Sequence, residues 1–196
     1  GDVVSGEYSF KNKGIVMHVW RKMFSWGFIS NYSTKIAKLM VNLVADDFEE
    51  DQPELTTNQG CHIVHCRFTD IYGLTAIKQA LEDTLCFKEY KSGQIDHDDG
   101  FEYHRYAVFT DKNQMIREIY NNKKNKMGKD IRVMLISDKA KEGVNFMNVQ
   151  TEHMTNKWWN IPKEDQIIGR GIRQGSQRHV PFWNNGSRVK VIYYSS

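Results

Sequence analysis

Apolar positions recur along this chain at two spacings, and their alternation outlines a fold. From Ser33 onward Ile36, Leu39, Met40, Leu43 and Val44 fall three or four apart, the spacing of one helix face. Ser33 or Thr34 stands where a cap would close the first turn. An acidic stretch, 46–54, contains Pro53 and reads as a solvated loop. Residues 61–68 form a short apolar run, the signature of a buried strand, and 74–85 return to helical spacing. The pattern repeats with a strand over 103–110, a helix over 111–124 and a strand over 131–137. In that helix Asp111 is the candidate cap, and Met115, Ile116, Ile119 and Tyr120 share a face. Residues 149–155 read as a fourth strand. Pro162 opens a helix where proline is tolerated, followed by Glu164 and Asp165, and 188–194 read as the last strand.

Strand–helix alternation of this kind predicts an α/β fold, a mainly parallel sheet flanked by helices with right-handed crossovers. In such a sheet, function collects at the carboxyl ends of the strands. The first 32 residues resist this reading. Tyr8, Phe10, Trp20, Phe24, Trp26 and Phe28 show no clear period. They are set apart as an arm or the edge of a preceding region, with one domain over 33–196. Residues 91–100 form a polar insertion.

Composition narrows the class. The 196 residues suit one ordinary domain, and 40% hydrophobic content excludes a globally disordered chain. A net charge of +3, from 27 basic and 24 acidic residues, permits a polyanionic partner without demanding one. Three cysteines, Cys61, Cys66 and Cys86, argue against a disulfide framework and for a reducing compartment. No run of 18 apolar residues is present, so no membrane span is expected. No secretory leader is visible, and Gly1 at the start reads as a fragment or a processed chain.

The densest chemistry is Gln166-Ile-Ile-Gly169-Arg170-Gly-Ile-Arg173. Two arginines three apart share a helix face, and Gly169 allows close approach beside them. Paired guanidinium groups suit phosphate oxygens, and an arginine reaching a transferring phosphoryl group is the arginine-finger device. A solvated basic face fits the spacing equally well. A second cluster follows the third long strand: Ser137-Asp-Lys139-Ala-Lys-Glu142-Gly143-Val-Asn145-Phe. There Ser137 could meet a nucleic-acid phosphate and Asn145 a sugar hydroxyl. Taken alone, Glu-Gly is common turn chemistry.

In this order, the two clusters resemble motifs V and VI of superfamily 2 helicases, whose motif VI reads Gln-x-x-Gly-Arg-x-x-Arg. The run Gly60-Cys-His-Ile-Val-His-Cys-Arg67-Phe is similar to motif IV, the first strand of the second RecA-like lobe. Trp158-Trp159-Asn160 resembles the Trp-Asn of Snf2-like and viral members. The resemblance covers 33–196 and is nearest to transcription-associated ATPases of large cytoplasmic DNA viruses, of the poxvirus nucleoside triphosphatase I and early-transcription-factor kind. It implies a C-terminal RecA-like lobe of a nucleic-acid-dependent ATPase. Arg173 would be the arginine finger, Arg170 would also reach the γ-phosphate, and Gln166 would help position them. Glu142, Gly143, Asn145 and Gly169 would lie near the nucleotide. Ser137, Lys139 and Arg67 would face the nucleic-acid backbone. Implied partners are DNA or RNA, the N-terminal lobe of the same protein and transcription machinery, with no membrane. The implied setting is the host cytoplasm or the virion. Two departures stand out. Asn156-Lys157 occupy the place of an acidic residue before Trp-Asn, and Asn145 replaces the Asp of many members.

A phosphate-binding loop is missing from the sequence. Gly128-Lys129, the one Gly-Lys, is followed by Asp130 and precedes a strand. No magnesium- and water-activating acidic box is present either. The resemblance therefore implies ATP and Mg2+ bound mainly by a first lobe that this chain lacks, and an isolated lobe that is inactive. A rival class is a non-catalytic docking module of a transcription or replication complex, with the Trp-rich first 30 residues as its surface. Other signals have blander readings. Cys61, His62, His65 and Cys66 lie within an expected buried strand, where alternate residues face opposite ways, so core packing outweighs a zinc site. His97, Asp98, Asp99 and His104 read as polar loop, and Lys123, Lys124, Lys126 and Lys129 as a basic helix end.

Overall fold

The computed structural model describes residues 28–44, 60–71, 73–91, 104–110, 112–137, 144–157, 160–173, 175–180 and 189–194. The elements in chain order are α1 (Ile29–Tyr32), α2 (Thr34–Val44), β1 (Cys61–Cys66), α3 (Leu74–Leu85), β2 (Lys88–Glu89), β3 (Arg105–Phe109), α4 (Gln114–Tyr120), a 3-10 turn (Lys123–Asn125), β4 (Val133–Ser137), β5 (Val149–Met154), α5 (Ile161–Ile172) and β6 (Lys190–Tyr193). The strands form one sheet in the order β2-β3-β4-β1-β5-β6, and every pairing is parallel. The expected mainly parallel α/β architecture is thus the one observed. No described helix is long and apolar enough to cross a membrane.

Alternation along the central strands builds two cores. Val133 and Leu135 of β4 point to one side of the sheet with Val64, where α2 and α3 bring Leu39, Met40, Leu43, Ile77, Ala80 and Leu81. Met134 and Ile136 point to the other with Ile63, where Phe109, Tyr120 and Phe146 meet edge to face. Met154 and Ile167 join β5 to α5 in a third, smaller cluster. Ile29 of the stretch set apart as an arm is 1% exposed in the first core, so the packed body begins ahead of residue 33. Residues 1–27 of that arm lie outside the described residues.

Side chains cap two helices, one of them at the expected Ser33. The Ser33 Oγ accepts from the Ile36 N–H at 3.2 Å, and the Asn160 Oδ1 accepts from the Lys163 N–H at 3.3 Å. The helix expected over 111–124 is shorter than that. It runs only from Gln114 to Tyr120, and Met115, expected on its buried face, is 58% exposed. Asparagines end it. The Tyr120 carbonyl accepts from Asn125 Nδ2 at 3.0 Å and from Asn148 Nδ2 at 3.2 Å, which diverts the chain into the 3-10 turn.

All six residues of β1, the Cys and His among them, are buried. The Cys61 thiol donates to the Asn125 carbonyl at 3.0 Å, and burial pushes its pKa up to about 12. His62 Nδ1 lies 3.1 Å from His153 Nε2, and His153 Nδ1 lies 2.8 Å from the Tyr194 hydroxyl, which also accepts from Asn42 Nδ2 at 2.9 Å. This chain of buried groups crosses from β1 through β5 to the end of β6 and back to α2. Among the described residues no group of three or more His, Cys, Asp or Glu is arranged to hold a metal ion. His104 faces the Arg132 guanidinium at 3.0 Å, while 97–99 lie outside the described residues.

Candidate functional site

The carboxyl ends of β1 and β4 are in register, with Cys66 opposite Ser137. Their side chains open into a crevice lined by His65, Arg67, Ser137, Asn156, Ile167 and Arg170 among others. Its free volume is about 10 Å³, room for about one water. Arg67 is exposed, and its N–H donates to Asn156 Oδ1 at 3.1 Å, so Asn156 of the β5–α5 connection fixes the end of β1. Arg170 is only 8% exposed. Behind it lies Glu152 of β5, 0% exposed, its Oε2 3.0 Å from His65 Nε2. Burial raises the Glu152 pKa, against the opposing pull of the His65 hydrogen bond and the charges of His65 and Arg170.

A second hollow lies past the C-terminal end of α5. It is a cleft of about 540 Å³, within the range of small-molecule sites. Arg117, Glu118, Asn121, Asn145, Arg173 and Arg178 contribute to its lining. Its shape depends on a strap formed by residues 144–148. Asn121 Oδ1 accepts from the Met147 N–H at 2.7 Å, and Asn121 Nδ2 donates to the Asn145 carbonyl at 3.2 Å. On the other side the Phe146 N–H donates to the Arg170 carbonyl and the Asn148 N–H to the Ser176 carbonyl, both at 2.9 Å. Asn148 holds φ +67, a conformation asparagine tolerates better than most residues. The strap thus ties α4 to the end of α5 and holds Asn145 beside Arg173.

The family model described as the helicase conserved C-terminal domain matches residues 52–175, which include both clusters. The chain belongs to that helicase family. It is 32% identical over 140 residues to a protein of Acanthamoeba polyphaga mimivirus that bears the name ATP-dependent RNA helicase, covering 69% of this chain and 23% of the relative. It is 33% identical over 91 residues to nucleoside triphosphatase I of Heliothis armigera entomopoxvirus, 44% of this chain and 14% of that protein. A termination factor NPH-I homolog of African swine fever virus is 26% identical over 179 residues, 79% of this chain and 25% of its own length. The chain therefore spans a quarter or less of these viral relatives.

Within this helicase domain the structure sorts the expected site residues into two groups. Arg67, Ser137 and Arg170 meet in the crevice, and Asn145 and Arg173 meet in the cleft. The two arginines sit in different surroundings, Arg170 buried at the crevice and Arg173 exposed at the cleft. Helix α5 stops at Ile172, and the chain leaves it at Arg173, with φ −58 and ψ 148. Gln166 is exposed on α5 and borders neither hollow among their described linings. At Gly169 an added Cβ would meet nothing within 4 Å, whereas at Gly171 it would run into the Glu152 carboxylate. Glycine is therefore needed for packing within the lobe at 171, and 169 faces open space. Glu142, Gly143, Lys139 and the pair Trp158-Trp159 lie outside the described residues. Sequence reasoning missed Arg117, Asn121, Asn148, Glu152 and Arg178. The Asn-rich run 121–125 was the one legible sign of the strap.

Proposed function

We propose that this domain is the second lobe of a nucleic-acid-dependent ATPase of the helicase type, which couples ATP turnover to movement along DNA or RNA or to its remodelling. In this reading Arg173 is the arginine finger, presented to the γ-phosphate when a first lobe carrying the phosphate cradle closes against this one. Asn145 meets the ribose, and Arg67 and Ser137 hold the nucleic-acid backbone. Glu142, Gly143 and Lys139 keep the roles that the motif resemblance implies. ATP and Mg2+ are held mainly by the first lobe, as the motif resemblance implies.

The observation that carries this reading is the co-location of Arg173 and Asn145 in one cleft, with Arg67 and Ser137 in another. Arg170 lies between them. Its side chain borders the crevice, and its carbonyl accepts from the strap that shapes the cleft. Movement of the α5 end on lobe closure would therefore reach the nucleic-acid crevice through Arg170, a physical route for coupling turnover to grip. Arg170 reaches the γ-phosphate itself only if closure brings that phosphate to the crevice mouth. The viral relatives, one bearing the name termination factor, support a transcription-linked role, and the setting is the host cytoplasm or the virion, as the motif resemblance implies.

The test is ATP turnover with and without DNA and RNA, on this lobe alone and on the longest natural chain that contains it. A silent lobe and a nucleic-acid-stimulated full-length enzyme are expected. In the full-length protein Arg173→Ala should abolish turnover while nucleotide still binds. Undiminished turnover in that variant would refute the assignment.

A further inference from the structure

The cleft holds more positive charge than motif VI supplies. Three guanidinium groups border it from three separate pieces of chain: Arg117 from the last turn of α4, Arg173 from the end of α5, and Arg178 from the following turn. Among the described residues of the lining Glu118 is the one acidic group, and Asn121, Asn145 and Ser176 are neutral. Lys123 is close enough, with Arg178, to depress the pKa of the neighbouring His179, after burial as the larger cause. A cation in the last turn of a helix suits the helix dipole, which accounts for Arg117 alone. It does not account for arginines from three elements bordering one hollow, an arrangement that raises repulsion unless an anion occupies it.

The pieces are braced. Arg178 donates from Nη2 to the Met147 sulfur at 3.6 Å and from Nε to His179 Nε2 at 3.3 Å, which lays its side chain along the strap. Asn121, one turn beyond Arg117 on the same side of the cleft, is fixed by its bonds to the Met147 N–H and the Asn145 carbonyl. A polyphosphate in about 540 Å³ could meet all three guanidinium groups, whose planar forks match phosphate oxygens. We propose that Arg117 and Arg178, outside the helicase motifs, contact the phosphates of the bound nucleotide beside Arg173. This rests on the reading of Arg173 as the nucleotide-facing arginine.

The experiment uses the full-length protein with Arg117→Ala, Arg178→Ala, the double variant and Arg173→Ala. It measures steady-state ATP turnover, binding of a fluorescent ADP, and binding of a labelled single-stranded oligonucleotide without nucleotide. Arg117 is half-buried and Arg178 exposed, so thermal melting should match the parent protein. Each single alanine should raise KM for ATP and the Kd for ADP roughly tenfold, the loss of one charge-assisted hydrogen bond. The double variant should lose more, and oligonucleotide affinity should hold. Lysine at either position should recover part of the loss. KM within twofold of the parent in all three variants would overturn the proposal. So would an unchanged KM with weakened oligonucleotide binding, which would make the cleft a strand-backbone site. If Arg173→Ala stops turnover while the other variants behave as the parent does, only this inference falls. If Arg173→Ala turns over normally, the arginine-finger reading falls.

Discussion

The crevice and the cleft share the C-terminal end of α5, yet they are held by opposite means. The crevice is backed by buried ionisable groups: Glu152 against His65 and Arg170, with the His62–His153–Tyr194 chain in the same strands. The cleft is shaped by neutral hydrogen bonds from Asn121 and Asn148 and by backbone bonds at Arg170 and Ser176. Its arginine Arg173 is exposed, whereas Arg170 is enclosed. One arginine of the motif is thus a packed part of the lobe, and the other is presented at its surface. Identical residue types three positions apart should fail in different ways when removed.

The largest effect separates those two failures. Arg173→Ala should reduce turnover by about a thousandfold or more, as for an arginine finger, with melting unchanged. Arg170→Ala empties the place of a buried side chain and removes a charge near the buried Glu152 carboxylate, so it should lower the lobe's stability by about 1–3 kcal/mol. In a domain this size each kcal/mol corresponds to roughly 2–4 °C in melting temperature. Melting curves and turnover on the two variants test the contrast. Equal loss of stability in both would erase the distinction between packed and presented arginines.

Acid should loosen one side and spare the other. Burial, then the charges of His153 and Arg132, hold the His62 pKa well below its usual value. Burial brings His153 down to about 3. Both groups bind protons more readily in the unfolded chain. Their contribution is therefore fully present above about pH 6.5 and is lost as pH falls from there towards the folded values. The slope should reach up to about 1.4 kcal/mol per pH unit for each histidine. Asn121, Asn148 and Ser176 have no proton to gain in that range. Denaturant unfolding between pH 7.5 and 5 should show the loss, and His153→Gln should roughly halve the slope. Glu152, whose raised pKa favours the folded state as pH falls, opposes this slope, so a His153→Gln slope equal to the parent's would show that the histidine chain is not buried neutral.

What the sequence made legible was local. Ser33 could be read as a cap because a cap acts within three residues. The strands β1 and β4 stood out because both faces are covered, which leaves an apolar run. The edge strand Lys88–Glu89 has only two residues, too few to carry a period. The halt of α4 at Tyr120 came from asparagines whose targets include a carbonyl 28 residues away. Likewise His65 and Glu152 are 87 residues apart, so the pairing behind Arg170 had no local sign. Motif spacing identified Arg170 and Arg173 as a pair. Their separation depends on where α5 ends, which the packing of Ser176 and the strap decides. The Ser176 hydroxyl donates to the Gly171 carbonyl at 2.8 Å and its N–H to the Arg173 carbonyl at 2.9 Å, closing the turn just past Ile172.

The smallest effect concerns two glycines of one helix turn. Gly171 packs its backbone against Glu152, with Val149 Cγ1 3.2 Å from the place of an added Cβ. Gly171→Ala should therefore strain the junction of α5 and β5 by about 1–3 kcal/mol, an overpacking cost that exceeds the gain in helix propensity. Gly169 has open space where a Cβ would go, and no strain opposes the same change there. Gly169→Ala should stabilise the lobe by about 0.5–1 kcal/mol, since glycine inside a helix loses more entropy than alanine on folding. If the open space at Gly169 is where a ligand or the first lobe approaches, the stabilised variant should turn over ATP more slowly in the full-length protein. Raised stability with undiminished turnover would mean that nothing approaches Gly169, and the functional weight of this helix would then rest on its arginines.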